Sequence, residues 1–471
     1  MGSQKKHPNA SSPVDKIVSR ALKAVKKIET QIIRLHEMTA SEKIKYFNSH
    51  RYSSFCTIRT PEGREISIGL IAERQFDELC EILNLFSPDL SKRISHGELK
   101  KGIKTAFHKQ YIVQKSSIDK HSIKTMLEQA SSALSTQLET HEHHIPCVFF
   151  IEPSPETFYV GPVKFTRVGS FIAALIDTPS KDIDEHIISQ RDRSIEYYEK
   201  YPWVATVTIE QCGYKNSLKN AIFVCETALN VLRVLFGRER TKWVRLSTSK
   251  GDGLTAAHIW STNNSEIKYS LSSRASSPPG PTNWYDFLHG EQSLEIISVL
   301  GSVIEHSRNF KAHSELTSRL LDAINWFGDA CLEPSPAAAI VKYVTCIERL
   351  YFGVSQPDMK KKFASRVSKI LSDFECKSAD NLINRAHDIY DVRSTLVHGG
   401  VSQREDECDW PLEQAEMIAR DCILSSCQMY IMLSDAFDPK TASEVESALQ
   451  VYEKKGIEWC VSEAHGKRYR G

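Results

Sequence analysis

Residues 389–400 read Ile389-Tyr390-Asp391-Val392-Arg393-Ser394-Thr395-Leu396-Val397-His398-Gly399-Gly400. The apolar residues Ile389, Val392 and Leu396 recur at helical spacing, and the run stops at two glycines. Glycine lacks the Cβ that makes left-handed backbone costly, so a helix ending at or beside His398 is predicted. Arg393 and His398 are the cationic and titratable side chains of this stretch. Five steps along an α-helix turn about 500°, so the two point about 140° apart and do not share one face. The glycines are expected to resolve this by letting His398 leave the helical direction in a frayed last turn. A fixed cation would then stand beside the side chain whose unperturbed pKa lies nearest neutrality.

Working outward, everything after Ser293 reads as helix, with segments predicted at 294–307, 316–331, 336–352, 359–374, 379–398, 412–437 and 442–451. Ile340, Val344, Ile347 and Tyr351 share a face of one segment; Leu382, Ala386, Ile389, Val392 and Leu396 share a face of another. Long helices joined by short loops pack as antiparallel bundles. Ala323-Ile324-Asn325-Trp326, then Cys346-Ile347-Glu348-Arg349-Leu350-Tyr351, then Tyr390 through Gly400 together resemble an Apea-like HEPN domain. The resemblance spans about residues 313–437, roughly a quarter of the chain. Ser394 stands where many HEPN members carry Asn, His or Asp after the arginine.

The resemblance implies metal-independent RNA cleavage by a homodimer or higher homo-oligomer, one motif from each subunit meeting in a shared cleft. Arg393 and His398 are the implied catalytic pair, and no metal or cofactor is called for. Relatives of this subgroup act in bacterial antiviral defence as abortive-infection toxins, often by cutting host RNA, including transfer RNA.

The residue chemistry is consistent with that expectation. Cleavage of RNA by its own 2′-hydroxyl needs a base for that proton, an acid for the departing 5′-oxygen and positive charge for the phosphorane. Histidine suits the proton work, and arginine offers a charged bidentate fork. His398 is the expected general base and Arg393 the phosphate clamp, giving 2′,3′-cyclic phosphate and 5′-hydroxyl ends. A helix C-terminus favours cationic His398 and a nearby Arg393 opposes it; within a few ångströms the full charge outweighs the dipole and keeps the imidazole neutral. Glu348 lies one step from Ile347, beside an apolar face, and either orients Arg393 or His398 or forms a rim salt bridge with Arg349 or Arg385. Ser394 and Asp391 complete the supporting candidates, Asp391 also reading as a solvated surface charge. Without a catalytic role, Arg393 and His398 read as a capping pair, and the helical region as a non-catalytic binding or dimerisation module.

Before these helices the texture is mixed, so the fold expected overall is α+β. Residues 1–12 read as a disordered tail and 13–271 as an α+β sensing region for an unidentified trigger, with a sub-boundary near 144. Within it, apolar residues from Ile17 to Leu35 recur at helical spacing, and further helices are read at 76–86, 121–139 and 216–236. Residues 56–59 and 65–71 read as a hairpin around Pro61-Glu62-Gly63. Strands are read at 148–151, 158–165 and 203–209, with edge strands at 257–261 and 266–271. Ser272 to Pro281 carries three prolines and a glycine and marks a linker or long loop, 272–292, before the helical region 293–456.

The 471 residues suffice for several domains, and a net charge of +1 argues against a chain that coats nucleic acid globally. RNA contact then requires a local patch, and Lys362, Arg366 and Lys369 offer one on a single helical face within the cluster that also holds Lys360 and Lys361. A solvated helix face is the plainer reading of that stripe. Arg238, Arg240, Lys242 and Arg245 around Trp243 read as a strand or loop surface. His141-Glu142-His143-His144 reads as a linker with incidental histidines, because alternation sends neighbouring strand residues to opposite faces and no matching ligand set is evident. Gly251-Asp252-Gly253 lacks the Lys-Ser or Lys-Thr of a phosphate loop. The twelve cysteines are scattered without zinc spacing, and no signal segment or membrane-length apolar run is read, so a cytoplasmic setting is expected.

Overall fold

The computed structural model describes residues 12–49, 56–59, 65–150, 155–177, 185–248, 258–262, 266–270, 281, 283–308, 314–354, 358–375, 379–399 and 405–468. The fold is α+β, and the chain divides into two compact units. The predicted turn at Pro61-Glu62-Gly63, the Gly251-Asp252-Gly253 segment and residues 1–11 lie outside the described residues.

The first unit takes residues 1–140 and 210–218. Helix α1 (Pro13–Glu37) starts at a capping box in which Ser12 and Asp15 satisfy each other's backbone amides. Its buried stripe, Val18, Ala21, Val25, Ile28 and Leu35, packs on α3 (Gly69–Phe86). Between them lie α2 (Ala40–Ser49) and an antiparallel pair, β1 (Thr57–Arg59) and β2 (Glu65–Ser67), with Ile58 opposite Ile66. The second half of the predicted hairpin is shorter than expected, since the helix begins at Gly69. Helices α4 (Pro88–Arg93), α5 (His96–Phe107) and α6 (Lys120–Ser135) follow, with a π-helical turn at His108–Val113. Phe76, Leu79, Ile103, Phe107, Met126 and Leu127 lie in their shared core.

The second unit takes residues 141–209 and 219–471. Its sheet is built from β3 (Glu139–Val148), β4 (Thr157–Val160), β5 (Val163–Arg167), β6 (Trp203–Cys212), β7 (Arg245–Leu246), β8 (His258–Thr262) and β9 (Ile267–Ser270). The order is β4-β5-β6-β3-β8-β9, with β7 also paired to β3. Among the described residues β9 is an edge and β8 is not, unlike the two edge strands expected. Two helices that periodicity did not reveal, α7 (Val168–Ile176) and α8 (Glu185–Tyr198), lie between β5 and β6 in sequence.

His141-Glu142-His143-His144 is sheet strand, a correction to the linker reading. The run is part of β3, with His141 and His143 buried, His144 half-buried and Glu142 exposed. His143 is fully buried and stacks on His258 of β8, with His143 Nδ1 3.0 Å from His258 Nε2. His144, on the other face, has its Nδ1 3.1 Å from Thr206 Oγ1 of β6. Burial pushes the imidazoles down, to about 2 for His143, about 4 for His144 and about 3 for His258. No group of three or more His, Cys, Asp or Glu among the described residues is arranged to hold a metal ion.

Helix α9 (Tyr214–Phe236) is followed by α10 (Arg238–Thr241), so Arg238 and Arg240 lie on a short helix, while Lys242 and Trp243 stand in the turn after it and Arg245 in β7, as the strand or loop reading had it. Next come α11 (Trp284–His289), α12 (Glu291–Arg308), α13 (Glu315–Cys331), α14 (Pro336–Tyr351), α15 (Met359–Glu375), α16 (Ala379–Val397), α17 (Glu405–Phe437), α18 (Ala442–Lys455) and α19 (Ile457–Arg468). Trp284 is fully buried against Phe149, Phe158 and Trp203. Those aromatic contacts tie the start of the helical region to the sheet. The sheet and the helices that follow it belong to one unit, and residues 271–280 of the proline-rich break between them lie outside the described residues.

Gly161, at φ +57° in the β4–β5 turn, touches Gly301 of α12 so closely that a Cβ on Gly301 would stand 2.8 Å from the Gly161 backbone. Gly301→Ala is expected to lower stability by about 1–3 kcal/mol, against a helix-propensity gain of about 1 kcal/mol. Thermal denaturation of the variant gives the sign.

In the bundle, α14 packs against α13, α16 and α17. Its Ile340, Tyr343, Val344, Ile347, Leu350 and Tyr351 are fully buried. The Tyr351 hydroxyl donates to Cys422 O at 3.0 Å, and the Tyr430 hydroxyl to Leu350 O at 2.5 Å, fixing α14 on α17. This packing positions the polar edge of α14 beside the end of α16.

Candidate active site

Helix α16 buries Leu382, Ala386 and Ile389. Val392 and Leu396 continue that stripe but are only half-buried, so the helix emerges from the bundle as it approaches its end. Gly399 adopts φ +73°, and its amide bonds Leu396 O at 3.3 Å, closing the helix. The last helical residue is Val397: His398 N donates to Ser394 O at 3.1 Å and closes the final turn, and His398 itself lies just past the helix, before Gly399. Gly400 lies outside the described residues.

Arg393 turns inward. Its Nη2 lies 3.2 Å from Glu348 Oε2 on α14, and its guanidinium carbon is 5.6 Å from the Tyr390 ring centroid. About a quarter of the Arg393 side chain, 24%, remains exposed. Burial pushes the Glu348 carboxyl above its ordinary range, opposed by the Arg393 charge and by a hydrogen bond from the Tyr390 hydroxyl. Tyr390 is itself held up, by burial first and then by the Glu348 charge. Of the two expectations for Glu348, the structure places it on Arg393. Arg349 goes instead to Asp322 and Glu315, and Arg385 to Gln414.

His398 is exposed, and among the described residues no hydrogen bond, ion pair or ring contact joins it to Arg393. The expected convergence of the two within one chain is therefore absent. Ser394 is half-buried and supplies the carbonyl that His398 caps. Asp391 is exposed and paired with Lys360, and it accepts nothing from Arg393. The residue overlooked in the sequence is Tyr390. Its spacing of three from Arg393 puts both on adjoining positions of the helix surface, which is the signal that was available.

The basic stripe on α15 needs correction. Arg366 is not open to a phosphate: its side chain is 2% exposed and pairs with Glu446 at 2.9 Å and Glu453 at 2.8 Å. It also donates to Tyr351 O and lies over the Phe352 ring. Lys369 pairs with Asp373 at 3.2 Å and sits over Tyr452. Lys362 is half-buried. Helical periodicity identified a shared face correctly but could not say that this face turns toward α18. Arg238 likewise donates to Ala330 O and Glu333 O, capping α13, while Trp243 stays exposed.

No protein-family model, curated protein or solved structure matches the chain. No helix among the described residues is long and apolar enough to cross a membrane.

Proposed function

We propose that the chain is a metal-independent endoribonuclease whose site lies at the end of α16. The observation that carries this reading is the presence, at the end of one helix, of an exposed imidazole, His398, and five residues before it a partly open guanidinium, Arg393, which the half-buried Glu348 of α14 fixes. His398 accepts the proton of a ribose 2′-hydroxyl, the freed oxygen attacks phosphorus, and the P–O5′ bond breaks as the 5′-oxygen takes a proton from solvent. Arg393 neutralises the phosphorane. No water is consumed, so the products carry 2′,3′-cyclic phosphate and 5′-hydroxyl ends.

Within one chain Arg393 is held on Glu348 and His398 is exposed without a contact to it, so the working site of this reading pairs His398 of one copy with Arg393 of another. The proposed assembly is a homodimer. The likeness of residues 346–351 and 390–400 to Apea-like HEPN sequences extends the reading to a regulated cytoplasmic toxin of antiviral defence, with transfer RNA among its substrates and residues 13–271 answering the trigger.

The test is purified protein with total RNA and EDTA. Arg393→Ala and His398→Ala are each expected to lower cleavage by about 10²–10⁴-fold while sedimentation shows an unchanged oligomer. An RNA with a single 2′-deoxy substitution at the cut site should be spared there. Full cleavage by either variant would favour the second reading, a helical binding module in which Arg393 serves the bundle through Glu348.

A further inference from the structure

The donors of Arg393 are unequally available. Its Nε is buried without a hydrogen-bond partner, and its Nη2 faces Glu348. Among the described residues Nη1 makes no hydrogen bond, and it is not one of the buried unpartnered atoms, so it reaches the surface. The side-on Nε/Nη2 fork is therefore shut, and Nη1 is the donor left open. Two groups hold the guanidinium in that pose. Glu348, on α14, anchors one nitrogen at 3.2 Å. Tyr390, one helical turn before Arg393, lies 5.6 Å from the guanidinium carbon and hydrogen-bonds the same carboxylate.

We propose that Tyr390 is a positioning residue: with Glu348 it brackets Arg393 so that Nη1 is the donor offered to a phosphodiester. The ring restricts the guanidinium from one side, as cation–π contacts do. Burial raises the Glu348 carboxyl; the Arg393 charge and then the Tyr390 hydroxyl act against that and favour the ionised form, the one that holds Nη2. The charged and titratable groups facing Glu348 are Arg393 and Tyr390, both from α16; its sequence neighbour Arg349 is engaged by Asp322 and Glu315. The role of the bracket in catalysis rests on the nuclease reading, whereas its existence does not.

Two readouts separate these. The first is the rate at which phenylglyoxal modifies Arg393, followed by peptide mass spectrometry on the full chain without RNA. Glu348→Gln and Tyr390→Leu are expected to raise that rate several-fold over the parent, with far-ultraviolet circular dichroism unchanged. Equal rates in all three proteins would overturn the bracket, whether or not the parent cuts RNA. The second is the pH profile of RNA cleavage by Tyr390→Phe, which keeps the ring and loses the hydroxyl. Without that hydrogen bond Glu348 takes up a proton more readily, so a second proton uptake joins that of the general base His398 and the acid limb is expected to steepen. A limb of unchanged steepness overturns the part assigned to the hydroxyl. A parent that cuts no RNA while both labelling rates rise would leave the bracket standing and remove the nuclease reading.

Discussion

Arg366→Ala is expected to cost about 3–5 kcal/mol of stability, the range for breaking a buried ion pair from one side. Its side chain is 2% exposed and that of Glu446 6%, so the variant strands a carboxylate in the interior of the bundle. Glu453, 29% exposed, regains water more easily, and Glu453→Gln should cost far less. Replacing both partners by methionine should recover much of the loss, because two apolar side chains leave no buried charge. Urea denaturation followed by circular dichroism measures all three, and a loss below about 1 kcal/mol for Arg366→Ala would show the pair to be solvated. The result also guards the functional test: reduced RNA cleavage by an Arg366 variant reports a loosened bundle before it reports a lost phosphate contact.

Acidification from pH 7 to pH 5 is expected to destabilise the second unit by about 2 kcal/mol for each of His143, His144 and His258. All three are held neutral by burial, with folded-state values pushed down to about 2, about 4 and about 3. Above the ordinary histidine value of about 6.5, both states are neutral and the effect vanishes. Below it the unfolded chain takes up protons that the folded chain refuses, so stability falls until pH reaches the folded-state values. The sum rivals the total stability of an ordinary domain. Urea midpoints at pH 7, 6 and 5 give the slope. His143→Phe/His258→Phe should cut it to about a third, the part left to His144, and a slope unchanged in this variant would place the proton uptake elsewhere.

The long helices were legible because their apolar residues repeat every three or four positions, as in α14 and α16, and because Gly399 marks an end. The sheet strands were legible where β-branched and aromatic residues cluster, as at Trp203–Cys212. β3 failed that test: its histidines look polar, and only the cover supplied by its neighbours in the fold makes them interior residues. Helices α7 and α8 are short, with few residues buried, so periodicity had little to register. For the candidate site, the residue types and the helix end were readable. The partner of Arg393 was not, because the choice between Arg393, Arg349 and Arg385 for Glu348 depends on how α14 rotates against α16. Arg366 shows the same limit, since a cation on an amphipathic face reads as solvated until a second helix supplies its carboxylates.

The seven tryptophans, residues 203, 243, 260, 284, 326, 410 and 459, all belong to the second unit; residues 1–140 and 210–218 contain none. Intrinsic indole emission is thus blind to the first unit, and the fully enclosed rings of Trp203 and Trp284 will dominate its red shift on unfolding. Tyrosine absorbance or amide exchange that departs from that emission would time the two halves of the molecule separately, without a label or a truncation.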